Sequence, residues 1–128
     1  MRRLLVVALI AGLGLFGGCS SSSGAEYHKI TPEDAKAIMD GTEPYILLDV
    51  RTWPEFVDSH IKGATLLPVD ELGARAKEEL PDKDELIIVY CRTGGRSKNA
   101  ANELVKLGYT QVYDLGGIQS WPYETVNG

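Results

Sequence analysis

Cysteine is scarce in this chain, which has only Cys19 and Cys91 among its 128 residues. So few cysteines exclude a disulfide scaffold. The sequence also lacks a His-Glu-x-x-His motif, a Cys-x-x-Cys motif and any paired cluster of cysteine and histidine. It therefore predicts no metal site, and nothing in it points to a cofactor. There is no internal repeat, and the length suits one domain.

Basic residues are in the minority, with 13 Lys and Arg against 18 Asp and Glu and a net charge of -5. This excess of negative charge argues against a general nucleic-acid-binding surface. The uncharged run over 4–16 has 13 residues. A membrane-spanning helix needs about 20 apolar residues, so this run is too short to be one.

Residues 1–18 have the composition of a secretory signal peptide. A basic start at Arg2 and Arg3 precedes the uncharged run, and small residues and serines follow it. That order is typical of export signals. A buried core helix is the plainer alternative, but the run has no polar face and leads directly into a serine-rich tether.

Two interpretations of signal cleavage remain open. Gly17-Gly18-Cys19 resembles the end of a bacterial lipoprotein signal, which favours lipidation at Cys19 and a flexible tether over 19–28. Cleavage after Ala25 is the alternative and would release a soluble periplasmic protein. In either case the mature domain is expected outside the cytoplasm, as a periplasm-facing or cell-surface lipoprotein in the first case. The lipid anchor would be its sole membrane attachment.

Residues 29–126 alternate between short apolar segments and helical patterns. Strands are predicted over 45–50, 64–67, 86–90 and 111–115, and helices over 31–39, 53–59, 70–80 and 97–107. This alternation indicates an α/β domain with a central, mostly parallel sheet flanked by helices on both faces. In the last helix, we expect the side chains of Ala100, Ala101, Leu104 and Leu107 to face the core.

The segment 91–97 joins a predicted strand to a predicted helix, where α/β sheets bind ligands. Cys91 begins this loop, and unpaired N–H groups at a helix start lower the pKa of a nearby thiol. Gly94 and Gly95 allow the backbone to curl around an anion. Arg92, Arg96 and Lys98 add positive charge. A buried, inert cysteine beside an ordinary turn is the plainer alternative, and the combination of features argues against it.

Several motifs resemble the rhodanese family, and they occur in the same order over about 31–124. They are Leu48-Asp49-Val50-Arg51, Glu55-Phe56, His60-Ile61-Lys62-Gly63-Ala64, the loop Cys91–Ser97, Leu115-Gly116-Gly117 and Trp121. The resemblance implies a rhodanese-type α/β domain that transfers sulfane sulfur through a persulfide on Cys91. The expected partners are a small anionic donor such as thiosulfate and a thiol or cyanide acceptor.

The loop residues receive distinct predicted roles. Cys91 is the nucleophile, and the substrate-binding residues are Arg92, Thr93, Gly94, Gly95, Arg96 and Ser97. Arg92 is the candidate for holding the anionic donor, whereas Arg96 either braces the loop or binds substrate. Related dual-specificity phosphatases have five residues between cysteine and arginine, and this loop has four. The shorter loop favours sulfur transfer over phosphate hydrolysis.

Two other functions are alternatives to a thiosulfate sulfurtransferase: a non-catalytic rhodanese-like binding module, and a persulfide carrier for a protein partner. The intact Cys91 loop argues against the binding module. Outside the loop, Asp49 and Arg51 are expected to form a structural ion pair. Trp53 and Trp121 are assigned to packing, with a position bordering the site as the alternative for Trp121, which follows the Gly116-Gly117 loop. His60 is assigned to the scaffold.

Overall fold

The computed structural model describes residues 26–128. The predicted signal peptide 1–18, the predicted lipidation site Cys19 and most of the predicted tether 19–28 lie outside the described residues. No helix within 26–128 has the length and apolar character needed to cross a membrane.

The described chain contains seven strands and four α-helices. The strands are β1 His28–Lys29, β2 Ile46–Asp49, β3 His60–Ile61, β4 Thr65–Leu66, β5 Leu86–Cys91, β6 Gln111–Gly117 and β7 Thr125–Val126. The helices are α1 Pro32–Asp40, α2 Trp53–Asp58, α3 Leu72–Glu79 and α4 Gly95–Lys106. Short 3₁₀ turns cover Val69–Glu71 and Ile118–Ser120.

Five strands form a parallel sheet in the order β1-β6-β5-β2-β4. The apolar strands β5 and β2 occupy central positions, as expected of strands covered on both faces. Strands β3 and β7 pair separately as a short antiparallel ribbon. The predicted α/β class with a mostly parallel sheet is therefore confirmed.

Alternating side chains along β5 divide the core into two clusters. Ile87, Val89 and Cys91 face one cluster, which includes buried residues of α3 and α4. Ile88 and Tyr90 face the other cluster, which contains residues of α1 and the ribbon. The period of two along a strand produces this division. Because Cys91 is the last residue of β5, it lies at the edge of the α3–α4 cluster, beside the start of α4.

The predicted helix boundaries hold within one or two residues, with local corrections. Helix α1 begins where the Thr31 hydroxyl accepts a hydrogen bond from the Asp34 N–H at 3.1 Å. Helix α4 ends ahead of Gly108, which has a φ of +101° as expected of a residue after a helix end. The predicted helix 70–80 is a 3₁₀ turn followed by α3. Leu107 was expected to face the core, but it follows the last residue of α4 and 36% of its surface is exposed.

Three short strands were missed. Strand β1 takes in His28, the last residue assigned to the tether, and pairs it with Tyr113. Strands β3 and β7 pair His60 with Val126 and Ile61 with Thr125. Each of these strands has only two residues, which is too short for the alternating pattern that identifies a strand in sequence.

Candidate functional site: the Cys91 loop

The carboxyl ends of three neighbouring strands converge on one edge of the sheet. Strand β5 ends at Cys91, and its neighbours β2 and β6 end at Asp49 and Gly117. The hydrogen bond from Val50 N–H to the Tyr90 carbonyl, at 3.1 Å, extends the β2–β5 pairing to this edge. The predicted position of Cys91, between a strand end and a helix start, is the position observed.

The loop after Cys91 curls back so that its amide groups approach the sulfur. The Gly94 N–H donates to Cys91 Sγ at 3.0 Å. Gly94 has a φ of +121°, a conformation that favours glycine, whereas Gly95 has no positive φ and is the first residue of α4. The conformational freedom predicted for both glycines is therefore used at only one of them.

The thiol of Cys91 is buried and surrounded by hydrogen-bond donors. Burial acts to raise its pKa, but the Ser97 hydroxyl and the N–H groups of Ser97, Gly94 and Thr93 act in the opposite direction. The net result is a pKa below the ordinary value for cysteine. The Ser97 hydroxyl also lies 3.1 Å from the Gly94 carbonyl oxygen. Because a hydroxyl has one proton and a thiolate is the stronger acceptor, deprotonation of Cys91 favours donation to sulfur.

Arg96 is committed to an ion pair with Glu55. Its two terminal nitrogens donate to the two Glu55 oxygens at 2.8 and 2.9 Å. Hydrogen bonds from Arg96 lower the Glu55 pKa to about 2, against a smaller opposing effect of burial, and Thr52 adds to the lowering. The Thr52 N–H and hydroxyl donate to Glu55 Oε1 at 3.1 and 2.9 Å. Glu55 thus joins the start of α2 to the Cys91 loop.

Arg92 has a different environment from Arg96. Its side chain is exposed, and its guanidinium forms no ion pair within residues 26–128. Its carbonyl accepts a hydrogen bond from the Gln119 N–H at 3.3 Å. Behind the loop, a Cβ added to Gly117 would overlap the Arg92 carbonyl and lie 2.7 Å from Thr93 Cα. The end of β6 therefore supports the loop backbone and leaves the Arg92 side chain available to solvent.

A buried polar network lies beneath this edge of the sheet. The Arg51 guanidinium donates to both carboxylate oxygens of Asp49, at 2.6 to 3.1 Å, and to the Ser59 carbonyl at 2.6 Å. The Tyr90 hydroxyl donates to Asp49 at 2.7 Å and accepts from Ile61 N–H at 3.0 Å. Burial raises the Tyr90 pKa, as does the nearby Asp49 carboxylate, so this hydroxyl keeps its proton. The predicted Asp49–Arg51 pair is confirmed.

Comparison with known families identifies the domain. A family model described as the rhodanese-like domain matches residues 31–123. The chain belongs to the rhodanese-like family. The predicted resemblance is therefore confirmed at the level of the family, whose sulfurtransferase members match at about one-third identity.

Individual rhodanese-like relatives match much of the domain. Thiosulfate sulfurtransferase PspE of Escherichia coli is 33% identical over 81 residues, covering 63% of this chain and 78% of PspE. The putative sulfur carrier protein YrkF of Bacillus subtilis is 34% identical over 110 residues, covering 85% of this chain and 58% of YrkF. A solved structure described as a rhodanese with anions from E. coli superposes with a TM-score of 0.63 and 32% identity, covering 66% of this chain and all of that one.

Three other residues singled out in the sequence take different positions in this rhodanese-like domain. His60 stacks on Phe56 with ring centroids 3.7 Å apart, and its Nδ1 lies 2.9 Å from the Phe56 carbonyl oxygen, which fits the scaffold role. Trp121 is buried and packs in the second core cluster as predicted. Trp53 was also assigned to packing, and this was wrong, because 65% of its surface is exposed at the start of α2.

Two contributors to the rhodanese-like loop were not recognised in the sequence. Glu55 was noted only as part of a family motif, although its spacing from Thr52 is typical of a helix start in which the acid bonds back to the preceding turn. Gly117 was likewise noted only as a motif residue, because close backbone contact leaves no local signal. Within 26–128, no cluster of three or more His, Cys, Asp or Glu side chains is arranged to hold a metal ion.

Proposed function

We propose that this protein is a thiosulfate-type sulfurtransferase in which Cys91 carries the transferred sulfur. The observation that carries the proposal is the buried Cys91 thiol between the end of β5 and the start of α4. The Gly94 N–H lies 3.0 Å from its sulfur, and its pKa is below the ordinary cysteine value. A thiolate is the nucleophilic form of cysteine, and these donors stabilise it. The same donors would stabilise a negatively charged persulfide in the transition state and the product.

The proposed reaction has two displacements. The Cys91 thiolate attacks the outer sulfur of thiosulfate, the sulfur–sulfur bond of the donor breaks, and sulfite leaves with the bonding electron pair. Cyanide or a thiolate then attacks the outer sulfur of the Cys91 persulfide. The bond to Cys91 breaks, thiocyanate or a new persulfide leaves, and the Cys91 thiolate is regenerated. No outside oxidant or reductant is required.

Charge on the loop is suited to an anionic donor. Arg96 is neutralised by Glu55 at 2.8 and 2.9 Å, whereas the exposed Arg92 has no acidic partner within 26–128. We assign donor binding to Arg92 with the backbone of Thr93, Gly94 and Gly95. We assign bracing of the loop to Arg96, with Ser97 stabilising the sulfur anion.

The test is intact-mass analysis after incubation with thiosulfate. We expect one added sulfur on the wild-type protein, its loss on addition of cyanide with formation of thiocyanate, and no added sulfur on Cys91→Ser. An unmodified wild-type protein, or equal loading of the serine variant, would overturn the assignment. Hydrolysis of p-nitrophenyl phosphate by Cys91, without sulfur loading, would support the phosphatase alternative.

A persulfide carrier for a protein partner is the second candidate. It is favoured by the match to YrkF, a relative named as a putative sulfur carrier protein. The match covers 58% of the length of YrkF. Both candidates use the same Cys91 persulfide and differ in the acceptor. A persulfide that resists cyanide and passes readily to a protein thiol would favour the carrier.

We also propose that the domain is exported and held to a membrane through lipid on Cys19. The proposal is supported by the order of basic start, uncharged run, Gly17-Gly18-Cys19 and serine tether in the sequence. We expect the mature protein to partition with membranes, and Cys19→Ser to block maturation or release the domain. A soluble mature protein beginning at Glu26 would overturn the lipid anchor and support export alone.

A further inference from the structure

Trp53 is the most exposed of the large apolar side chains within residues 26–128. It exposes 65% of its surface, compared with 36% for both Leu107 and Tyr123. Trp53 is the first residue of α2. It belongs to neither of the two core clusters. An exposed tryptophan contributes little to the stability of the fold, and tryptophan is enriched among the residues that dominate binding at protein interfaces.

Trp53 lies at the same edge of the sheet as the Cys91 loop. It follows β2, the parallel neighbour of β5, and the carboxyl ends of these two strands share one edge. Two residues further along α2, Glu55 holds Arg96 of the loop at 2.8 and 2.9 Å. The exposed indole is therefore carried on a turn that is attached to the candidate active site.

Two exposed cations, Arg92 and Lys98, lie in and next to the loop although the domain is acidic overall. Residues 26–128 contain 11 basic and 18 acidic residues, so their formal charge is -7. Arg92 and Lys98 are exposed, and neither forms an ion pair within this range. An exposed indole at the same edge of the sheet as two unpaired cations is complementary to a partner that carries acidic residues.

We propose that Trp53, Arg92 and Lys98 form a docking surface for a protein that presents a sulfur-accepting thiol beside acidic residues. The proposal rests on the proposed function, because it identifies the acceptor of the Cys91 persulfide. The partner thiolate attacks the outer sulfur, the bond to Cys91 breaks with its electrons leaving on the Cys91 thiolate, and the partner carries the new persulfide. Thiosulfate and cyanide are too small to need an indole, and a protein acceptor uses it as an anchor.

A lipid surface is less compatible with these observations. Insertion of Trp53 into a bilayer would bring the edge that carries Cys91 against the headgroups. This position would hinder access of an anionic sulfur donor.

The first measurement follows sulfur transfer from loaded Cys91 to two short peptides, each with one cysteine. One peptide has aspartates beside the cysteine, and the other has lysines in their place. We expect faster transfer to the acidic peptide, a loss of about tenfold in Trp53→Ala, and a smaller loss in Lys98→Ala. Transfer to cyanide should be unchanged in both variants. Leu107→Ala, which removes an exposed apolar side chain elsewhere, is the matched control and should behave as wild type.

The second measurement detects docking without sulfur transfer. The readout is tryptophan fluorescence, and the signal of exposed Trp53 is the part of the emission that Trp53→Ala loses, while buried Trp121 supplies the rest. The protein is titrated with the acidic peptide in which serine replaces the cysteine. We expect a blue shift or quenching with this peptide and no change with the lysine peptide or with anionic phospholipid vesicles. Equal transfer by wild type and Trp53→Ala, no emission change with the acidic peptide, or a response to vesicles alone would overturn the docking surface. Failure of Cys91 to load sulfur, with peptide docking intact, would instead contradict the proposed function.

Discussion

Glu55 and Arg96 are separated by 41 positions in the sequence and form a two-bond ion pair at 2.8 and 2.9 Å. The pair connects α2 to the loop that begins at Cys91. Both terminal nitrogens of Arg96 are thus bound to Glu55 within the protein. The exposed Arg92 forms no ion pair with any acidic residue in 26–128. This difference favours the bracing role over the substrate-binding role for Arg96.

The first prediction concerns the pH dependence of stability. Glu55 has a pKa of about 2 in the folded protein and an ordinary value of 4.5. A lowered folded-state pKa means that the stabilisation is complete above about pH 4.5 and is lost as pH falls through 2. We expect Glu55→Gln to lower the free energy of unfolding by about 1–2 kcal/mol at neutral pH. The difference in Tm between wild type and Glu55→Gln should become smaller as the pH falls from about 4.5 towards 2.

The measurement is thermal unfolding of wild type and Glu55→Gln at several pH values between neutrality and strong acid. Glu78→Gln is the matched control, because this exposed glutamate on α3 forms no ion pair within residues 26–128. A Tm difference for Glu55→Gln that stays constant down to low pH would contradict the role assigned to this carboxylate.

The second prediction separates the two glycines of the loop. Gly94 has a φ of +121°, so Gly94→Ala places a Cβ in a strained backbone conformation and should cost about 1–3 kcal/mol. Gly95 is the first residue of α4, and a Cβ there meets no atom within 4 Å. Gly95→Ala should therefore leave the free energy of unfolding within about 1 kcal/mol of wild type. Denaturant unfolding of both variants measures the difference, and equal losses would contradict this distinction.

The sequence was most informative where local pattern and final position agree. The continuous apolar runs that became β2 and β5 predict central strands, because only a doubly covered strand tolerates such a run. The start of α1 was also predictable, since Thr31 followed by Pro32 is a local signal for a helix start. The placement of Cys91 follows from the same kind of reasoning, because it lies between a strand and a helix.

Features that depend on contacts between distant segments were not predictable. The Glu55–Arg96 pair requires the relative placement of α2 and α4, which no local pattern encodes. The close approach of Gly117 to the loop has the same origin, since its neighbours are Arg92 and Thr93. Trp53 was assigned to packing. Its position in the first turn of a short helix instead leaves the indole in solvent.

The third prediction concerns the ionisation of Cys91. The Ser97 hydroxyl is among the groups that lower the pKa of this thiol, together with backbone N–H groups that substitution cannot remove. Ser97→Ala should therefore shift the pH profile of iodoacetamide alkylation toward higher pH and slow alkylation at neutral pH. Ser120→Ala, which alters an exposed hydroxyl, is the control. A profile that does not move would show that the backbone N–H groups alone stabilise the thiolate.

The last prediction concerns donor binding by Arg92. Its side chain is exposed and forms no ion pair within the described residues, while its backbone carbonyl is held by Gln119 N–H at 3.3 Å. Arg92→Ala keeps that backbone contact and should leave the Tm unchanged. Loss of a charge-assisted contact with an anionic donor is worth about 1.5–3 kcal/mol. We therefore expect kcat/KM for thiosulfate to fall by roughly ten- to a hundredfold, mainly through KM, with a weaker dependence on salt.

The control for Arg92→Ala is Lys106→Ala, which removes an exposed positive charge at the other end of α4. That variant should have wild-type kinetics, because physiological salt screens the interaction between the distant Lys106 charge and the donor at the loop. Arg92→Lys should recover part of the lost affinity, since the charge returns without the planar donor geometry of arginine. If Arg92→Ala changes neither KM nor its salt dependence, the backbone N–H groups at Thr93 and Gly94 hold the donor without it. The loop would then select its substrate by backbone geometry rather than by side-chain charge.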